Sequence, residues 1–219
     1  MRRILRNHGL SIVMLGIFFL AFFVGQILTG RREYNAARAK SGTSQLDYAG
    51  YLRSAHFAEA TAENWESEFL QMSVYVLATA LLYQKGSAES KDPRKKHPHH
   101  CAPRAVRPDS PWPVRRGGWV LRIYEHSLSL ALFTVFLFGF TWHAHAGLRL
   151  YNEERLTEGQ SALTLADYLT SSRFWFESFQ NWQSEFLAIG SMVVLSIWLR
   201  EVNSPESKNV ETPHWENEE

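Results

Sequence analysis

The sequence predicts an all-α fold: an integral membrane four-helix bundle built from two parallel, tandem two-helix repeats, with interfacial helices in the outer loops. Three observations predict it. The segment Asn64-Trp65-Glu66-Ser67-Glu68-Phe69-Leu70 returns 117 residues later as Asn181-Trp182-Gln183-Ser184-Glu185-Phe186-Leu187. Two long stretches, Leu10 to Thr29 and Ser127 to Leu148, carry no charged side chain apart from His143 and His145. A shorter apolar run, Phe69 to Tyr83 or Phe186 to Leu199, closes each half.

The repeat extends well beyond that motif. Gly30, Arg32, Tyr34, Asn35, Arg38, Gly42, Tyr51, Leu52 and Phe57 find Gly147, Arg149, Tyr151, Asn152, Arg155, Gly159, Tyr168, Leu169 and Phe174, and Ser87-Ala88-Glu89-Ser90-Lys91 is answered by Ser204-Pro205-Glu206-Ser207-Lys208. Upstream the register slips by one: His8 answers His126. A single extra residue therefore lies inside or just after the first apolar segment.

Each element follows from length and composition. Leu10 to Thr29 and its counterpart have the roughly 20 residues needed to cross a hydrocarbon core of about 30 Å. Arg2, Arg3 and Arg6 ahead of the first stretch resemble a signal peptide, but the stretch is too long, no small-residue cleavage site follows, and its repeat lies in mid-chain. It is expected to be retained. The second run of each half is too short to span alone at 1.5 Å per residue. It is expected to recruit one further turn through Trp65 or Trp182, leaving Glu68 and Glu185 near the membrane boundary.

The mean hydropathy of −0.25 looks soluble only because the apolar residues are concentrated in blocks. A soluble chain would have to bury two helices apolar all round under a large polar shell. Of the 23 Lys and Arg residues, fifteen fall in the termini and central loop and eight in the loops between the helices of each half. The positive-inside rule then places both termini in the cytoplasm. An even number of crossings makes the halves parallel. The expected organisation is a first repeat over 1–92, a basic Pro/His-rich cytoplasmic linker over 93–122, a second repeat over 123–209 and an acidic tail over 210–219.

The motif Asn-Trp-x-Ser-Glu-Phe-Leu has two readings. As a helix start, Asn64 and Asn181 cap the short helices while Ser67, Glu68, Ser184 and Glu185 complement the positive helix end. As a site, Glu68 and Glu185 would reach equal depth and hold an ion or proton. Tyr51, Phe57, Tyr168, Phe174, Trp175, Phe176 and Phe179 are expected as interfacial aromatics.

Metal and haem chemistry draw little support. His143 and His145, two apart on a helix, point in different directions, and their first-copy equivalents are Gln26 and Leu28. His97, His99, His100 and Cys101 have ligand chemistry but no second cluster at zinc-site spacing. No cofactor and no metal is expected. The single cysteine excludes an intramolecular disulfide framework.

Taken together, the repeated Tyr-Asn, the Tyr-Leu ahead of the long motif, the Ser-x-Glu-Ser-Lys exits and Pro111-Trp112-Pro113-Val114-Arg115-Arg116-Gly117-Gly118 resemble a bacterial domain-of-unknown-function family of four-helix membrane proteins. The resemblance implies membership without an activity. The expected role is non-enzymatic, a membrane scaffold or accessory subunit. The alternative is a small ion or proton conductor, and a haem or redox carrier ranks third. The expected partners are the lipid bilayer and other membrane proteins or a second copy, not nucleic acid.

Overall fold

The computed structural model describes residues 2–91 and 106–217, and among them all regular structure is helical. Helix α1 (Arg2–Leu20) passes into a π-helical run (Ala21–Thr29) and on into α2 (Gly30–Lys40). Then come α3 (Tyr48–Leu52), α4 (Ala55–Leu81), α5 (Trp112–Arg116), α6 (Gly118–Glu125), α7 (Ser127–Thr157), α8 (Leu165–Leu169) and α9 (Ser172–Leu195). Two continuous helical segments, Asn7–Lys40 and Ser127–Thr157, are long and apolar enough to cross a membrane.

The extra residue of the first half has a physical home. Gly30 lies twenty-two positions after His8, but Gly147 only twenty-one after His126. The π-helical run lies in that longer stretch, and i→i+5 hydrogen bonding accommodates one additional residue without breaking the helix. Both histidines also mark a break in regular helix: His8 has φ −134° and ψ 16°, His126 φ −111° and ψ 10°.

The chain divides into two compact units. The first comprises 1–62 and 142–171. Its loops are tied by hydrogen bonds that recur at the same 117-residue offset. Asn35 donates to the Leu46 carbonyl and accepts from the Leu46 amide, both at 2.8 Å. Asn152 does the same to Leu163 at 3.0 and 2.8 Å. Arg38 donates to the Ser44 carbonyl and Arg155 to the Ser161 carbonyl, each at 2.8 Å. Gly42 (φ +70°) and Gly159 (φ +75°) supply the left-handed residue that ends the preceding helix.

Tyr51 and Tyr168 form the centre of this unit, each only 1% exposed. A side chain on Gly30 would collide with the Tyr51 hydroxyl, and one on Gly147 with that of Tyr168. Glycine at these points lets each ring lie against the long helix. Phe57 is buried beside them, its ring 5.5 Å edge-on from Tyr51. These rings are core residues and not the interfacial aromatics the sequence suggested. The rest of that group divides: Phe174 is buried, whereas Trp175, Phe176 and Phe179 are exposed.

The second unit comprises 63–141 and 172–219. Within the expected linker, 112–116 and 118–122 are helical on either side of a break at Gly117, with Pro113 at the second helical position of α5. Proline is tolerated there because that N–H has no partner within the helix. Phe140 meets Phe174 edge-on at 5.4 Å in the core of this unit.

The acidic tail is largely exposed but anchored at one residue. Asn217 is buried, and its amide donates to the carbonyls of Gln84, Ser87 and Ser90 at 3.1, 2.8 and 2.7 Å. Its oxygen accepts from the Gly86 amide (2.8 Å) and the Tyr83 hydroxyl (3.0 Å). The buried Lys208 ammonium donates to the carbonyls of Pro213, His214 and Glu216 at 3.2, 3.2 and 2.9 Å. The tail's contacts are made by its backbone and one amide, while Glu211 and Glu216 stay exposed.

Candidate functional site

The Asn-Trp-x-Ser-Glu-Phe-Leu segments lie in mid-helix, which corrects the helix-start reading. Helix α4 begins at Ala55, where the Ser54 hydroxyl accepts from the Phe57 amide at 3.2 Å, and α9 begins at Ser172. The capping function falls to Ser54, about three turns ahead of Asn64. At 1.5 Å per residue, α4 with 27 residues and α9 with 24 run about 40 and 36 Å. The aromatic segments expected as separate interfacial helices are the opening turns of these two helices. Ser67 and Ser184 bond back to the carbonyls of Asn64 and Asn181 at 3.0 and 2.8 Å, the usual recourse of serine inside a helix.

What the motif builds is a polar seam between α4 and α9. The Asn181 amide donates to Glu63 at 2.5 Å, the Trp182 indole N–H donates to Glu66 at 3.0 Å, and the Gln71 amide donates to the Glu185 carbonyl at 2.9 Å. At 100° per residue, Glu63, Glu66 and Gln71 fall within about 140° of arc on α4, and Asn181, Trp182 and Glu185 within about 100° on α9, so each helix presents them from one side. Glu66 is 1% exposed, and a Cβ on Gly139 of α7 would come within 3.0 Å of its amide nitrogen. Glycine at 139 therefore allows the backbone of α7 to approach α4 at the buried carboxylate. Interhelical polar bonds of this kind contribute about 0.6 to 2 kcal/mol each when water is excluded.

The two copies do not play the same part. Trp182 reaches Glu66, while the Trp65 ring packs edge-on against Phe69 at 6.4 Å. The repeat places Gln183 where the first half has Glu66, and Gln183 is exposed. Glu68 is exposed and Glu185 half-buried, close enough to repel each other. Glu63 and Glu66 were missed by sequence reasoning, although the Glu66/Gln183 mismatch within an otherwise faithful repeat was a usable signal.

On α7, His143 is buried and His145 exposed, so the two imidazoles do point apart. His97, His99, His100 and Cys101 lie outside the described residues.

A second polar cluster forms where the two exit segments end. Ser87 and Ser196 share a hydrogen bond at 2.9 Å, and the Tyr75 hydroxyl donates to Glu89. The Ser90 hydroxyl accepts from the Gln84 amide at 2.7 Å, as Ser207 does from Glu201 at 2.8 Å. Burial and the neighbouring Glu206 carboxyl raise the Glu89 pKa above the usual carboxylate range, against the opposing hydrogen bond from Tyr75.

A family described as a domain of unknown function (DUF6766) matches residues 1–219. Comparison with curated proteins and with solved structures gave no match.

Proposed function

This chain belongs to the DUF6766 family, and we propose that it is a non-enzymatic integral membrane protein, a scaffold or accessory subunit, crossing the bacterial inner membrane four times. The observation that carries this reading is the use made of the repeated motif's polar groups. Asn181, Trp182 and Gln71 bond to the facing helix, and Glu63 and Glu66 accept from neutral donors. Side chains engaged in this way fix helix register, which suits a structural role better than a conducting one.

Membrane residence is supported by the apolar surface left bare. Leu10, Leu15, Ile17, Leu20 and Phe23 are all exposed on the first long helix, and exposed apolar surface of this kind marks a membrane or partner contact. Helices α4 and α9 exceed the thickness of the hydrocarbon core. The hydrogen bonds that recur 117 residues apart support two parallel copies of one hairpin. The excess of Lys and Arg in the termini and central loop argues for a cytoplasmic location of both.

Orientation is testable in a Cys101→Ser background. A cysteine at Ser161 should react with an impermeant maleimide in intact cells, and one at Asp109 should not. Labelling of position 109 alone would reverse the orientation.

The conductor reading makes a different prediction. Liposomes containing the purified chain and a pH-sensitive dye should leak protons no faster than liposomes containing the Glu68→Gln/Glu185→Gln variant. A leak specific to the parent would replace the scaffold with a channel or carrier.

A further inference from the structure

The second unit holds a cavity of about 390 Å³ between one face of α4 and one face of α9, closed at one end by the first exit segment. Its walls are largely apolar, with Val74, Ala78 and Leu82 opposite Phe186, Ile189 and Val193. Its polar end is formed by Tyr75, Gln84, Glu89 and Ser90. One Glu89 oxygen accepts from Tyr75, and the other, Oε1, is buried with no donor but the neighbouring Glu206 carboxyl. Glu206, the residue that answers Glu89 in the second half, lies beside it. Two carboxyls so close, one with a buried oxygen, cannot both ionise at low cost until a cation reaches them.

We infer that this cavity binds a small organic cation, an ammonium group joined to an apolar body, with the ammonium on Glu89 and the apolar body between Val74, Ala78, Phe186 and Val193. The two carboxyls at the end of the cavity select a cation, because a positive group offsets the burial and mutual repulsion that otherwise disfavour ionisation of Glu89. The walls select the rest of the ligand. A bare, hydrated ion would lose its water against hydrocarbon with too few oxygens to replace it, whereas an organic cation gains from both surfaces. Tyr75, Tyr83 and Phe186 add aromatic faces that favour cations. The volume lies within the range of small-molecule sites.

The probe is tritiated 4-phenylbutylammonium, titrated against the full chain in phosphatidylcholine nanodiscs, with empty discs subtracted. Saturable binding at one site per chain is expected. Glu89→Gln should weaken it at least tenfold, as loss of a charge-assisted hydrogen bond implies, and the uncharged 4-phenylbutanol should bind at least tenfold more weakly than the cation. Gly190 lines the cavity and has open space around its Cα, so Gly190→Leu should fill the cavity without disturbing the fold and abolish binding. Val193→Phe is the second filling variant, and the melting midpoint of each shows whether it is folded. Unsaturable binding, equal affinity for the alcohol, or indifference to Glu89→Gln would overturn the assignment. So would displacement of the probe by phosphatidylethanolamine in the discs, which would make the cavity a seat for a bilayer lipid.

Discussion

Phe174→Ala is expected to destabilise the chain by about 3 to 5 kcal/mol, while Phe176→Ala, two residues further along α9, should cost well under 1 kcal/mol. Phe174 is 0% exposed and meets Phe140 and Trp175 edge-on, each at 5.4 Å; Phe176 is 67% exposed. Removing the first ring leaves a cavity that its neighbours fill only in part, and removing the second leaves none. At about 2 to 4 °C per kcal/mol for a chain of this size, the melting midpoint in detergent should fall by roughly 10 °C for Phe174→Ala and barely move for Phe176→Ala. Equal shifts would mean that both rings face the same environment, as the interfacial reading of the aromatic segment required.

Asn217→Ala should cost about 2 to 4 kcal/mol, because it removes five hydrogen bonds at a buried position and leaves the Gly86 amide and three carbonyls without that partner. Asn217→Asp is the sharper test. It keeps the oxygen that accepts from Gly86 and Tyr83 but sets a second oxygen against the carbonyls of Gln84, Ser87 and Ser90. The isosteric variant should therefore be at least as damaging as alanine at neutral pH. Unfolding monitored by far-ultraviolet circular dichroism in detergent would decide it, and an aspartate variant as stable as the parent would show that the tail does not dock through this amide.

Much of the fold was legible in the chain because its cues are local or periodic. The two long apolar stretches appear as the helical segments that contain them, since a run of about 20 uncharged residues has few other conformations open to it. The one-residue register slip appears as a π-helical run, since an added residue in a continuous helix must widen a turn. The paired residues Asn35 and Asn152, or Ser90 and Ser207, make matching bonds because each acts within its own loop, eleven or six residues away.

The helix starts were misjudged for a definite reason. Asn64 and Asn181 have good capping chemistry, but so does Ser54, and propensity alone does not choose among caps. The choice was made by the aromatic residues upstream: Phe57 and Phe174 are buried only if the helix has already begun.

The sequence by itself therefore determined the helical class, the repeat and its register, the two long apolar segments and the lysine and arginine asymmetry, because each is a property of neighbours along the chain. Tertiary structure alone decided the rest. Glu66 is bonded to Trp182, 116 residues away, while the exposed Glu68 carries the more conspicuous motif position. Tyr51 and Tyr168 are core because Gly30 and Gly147 leave room for them, and the acidic tail is anchored because a single amide at Asn217 satisfies a distant loop. A side chain's partner depends on which surfaces three-dimensional packing brings within about 3 Å, and residues so far apart in the chain give no local sign of that meeting.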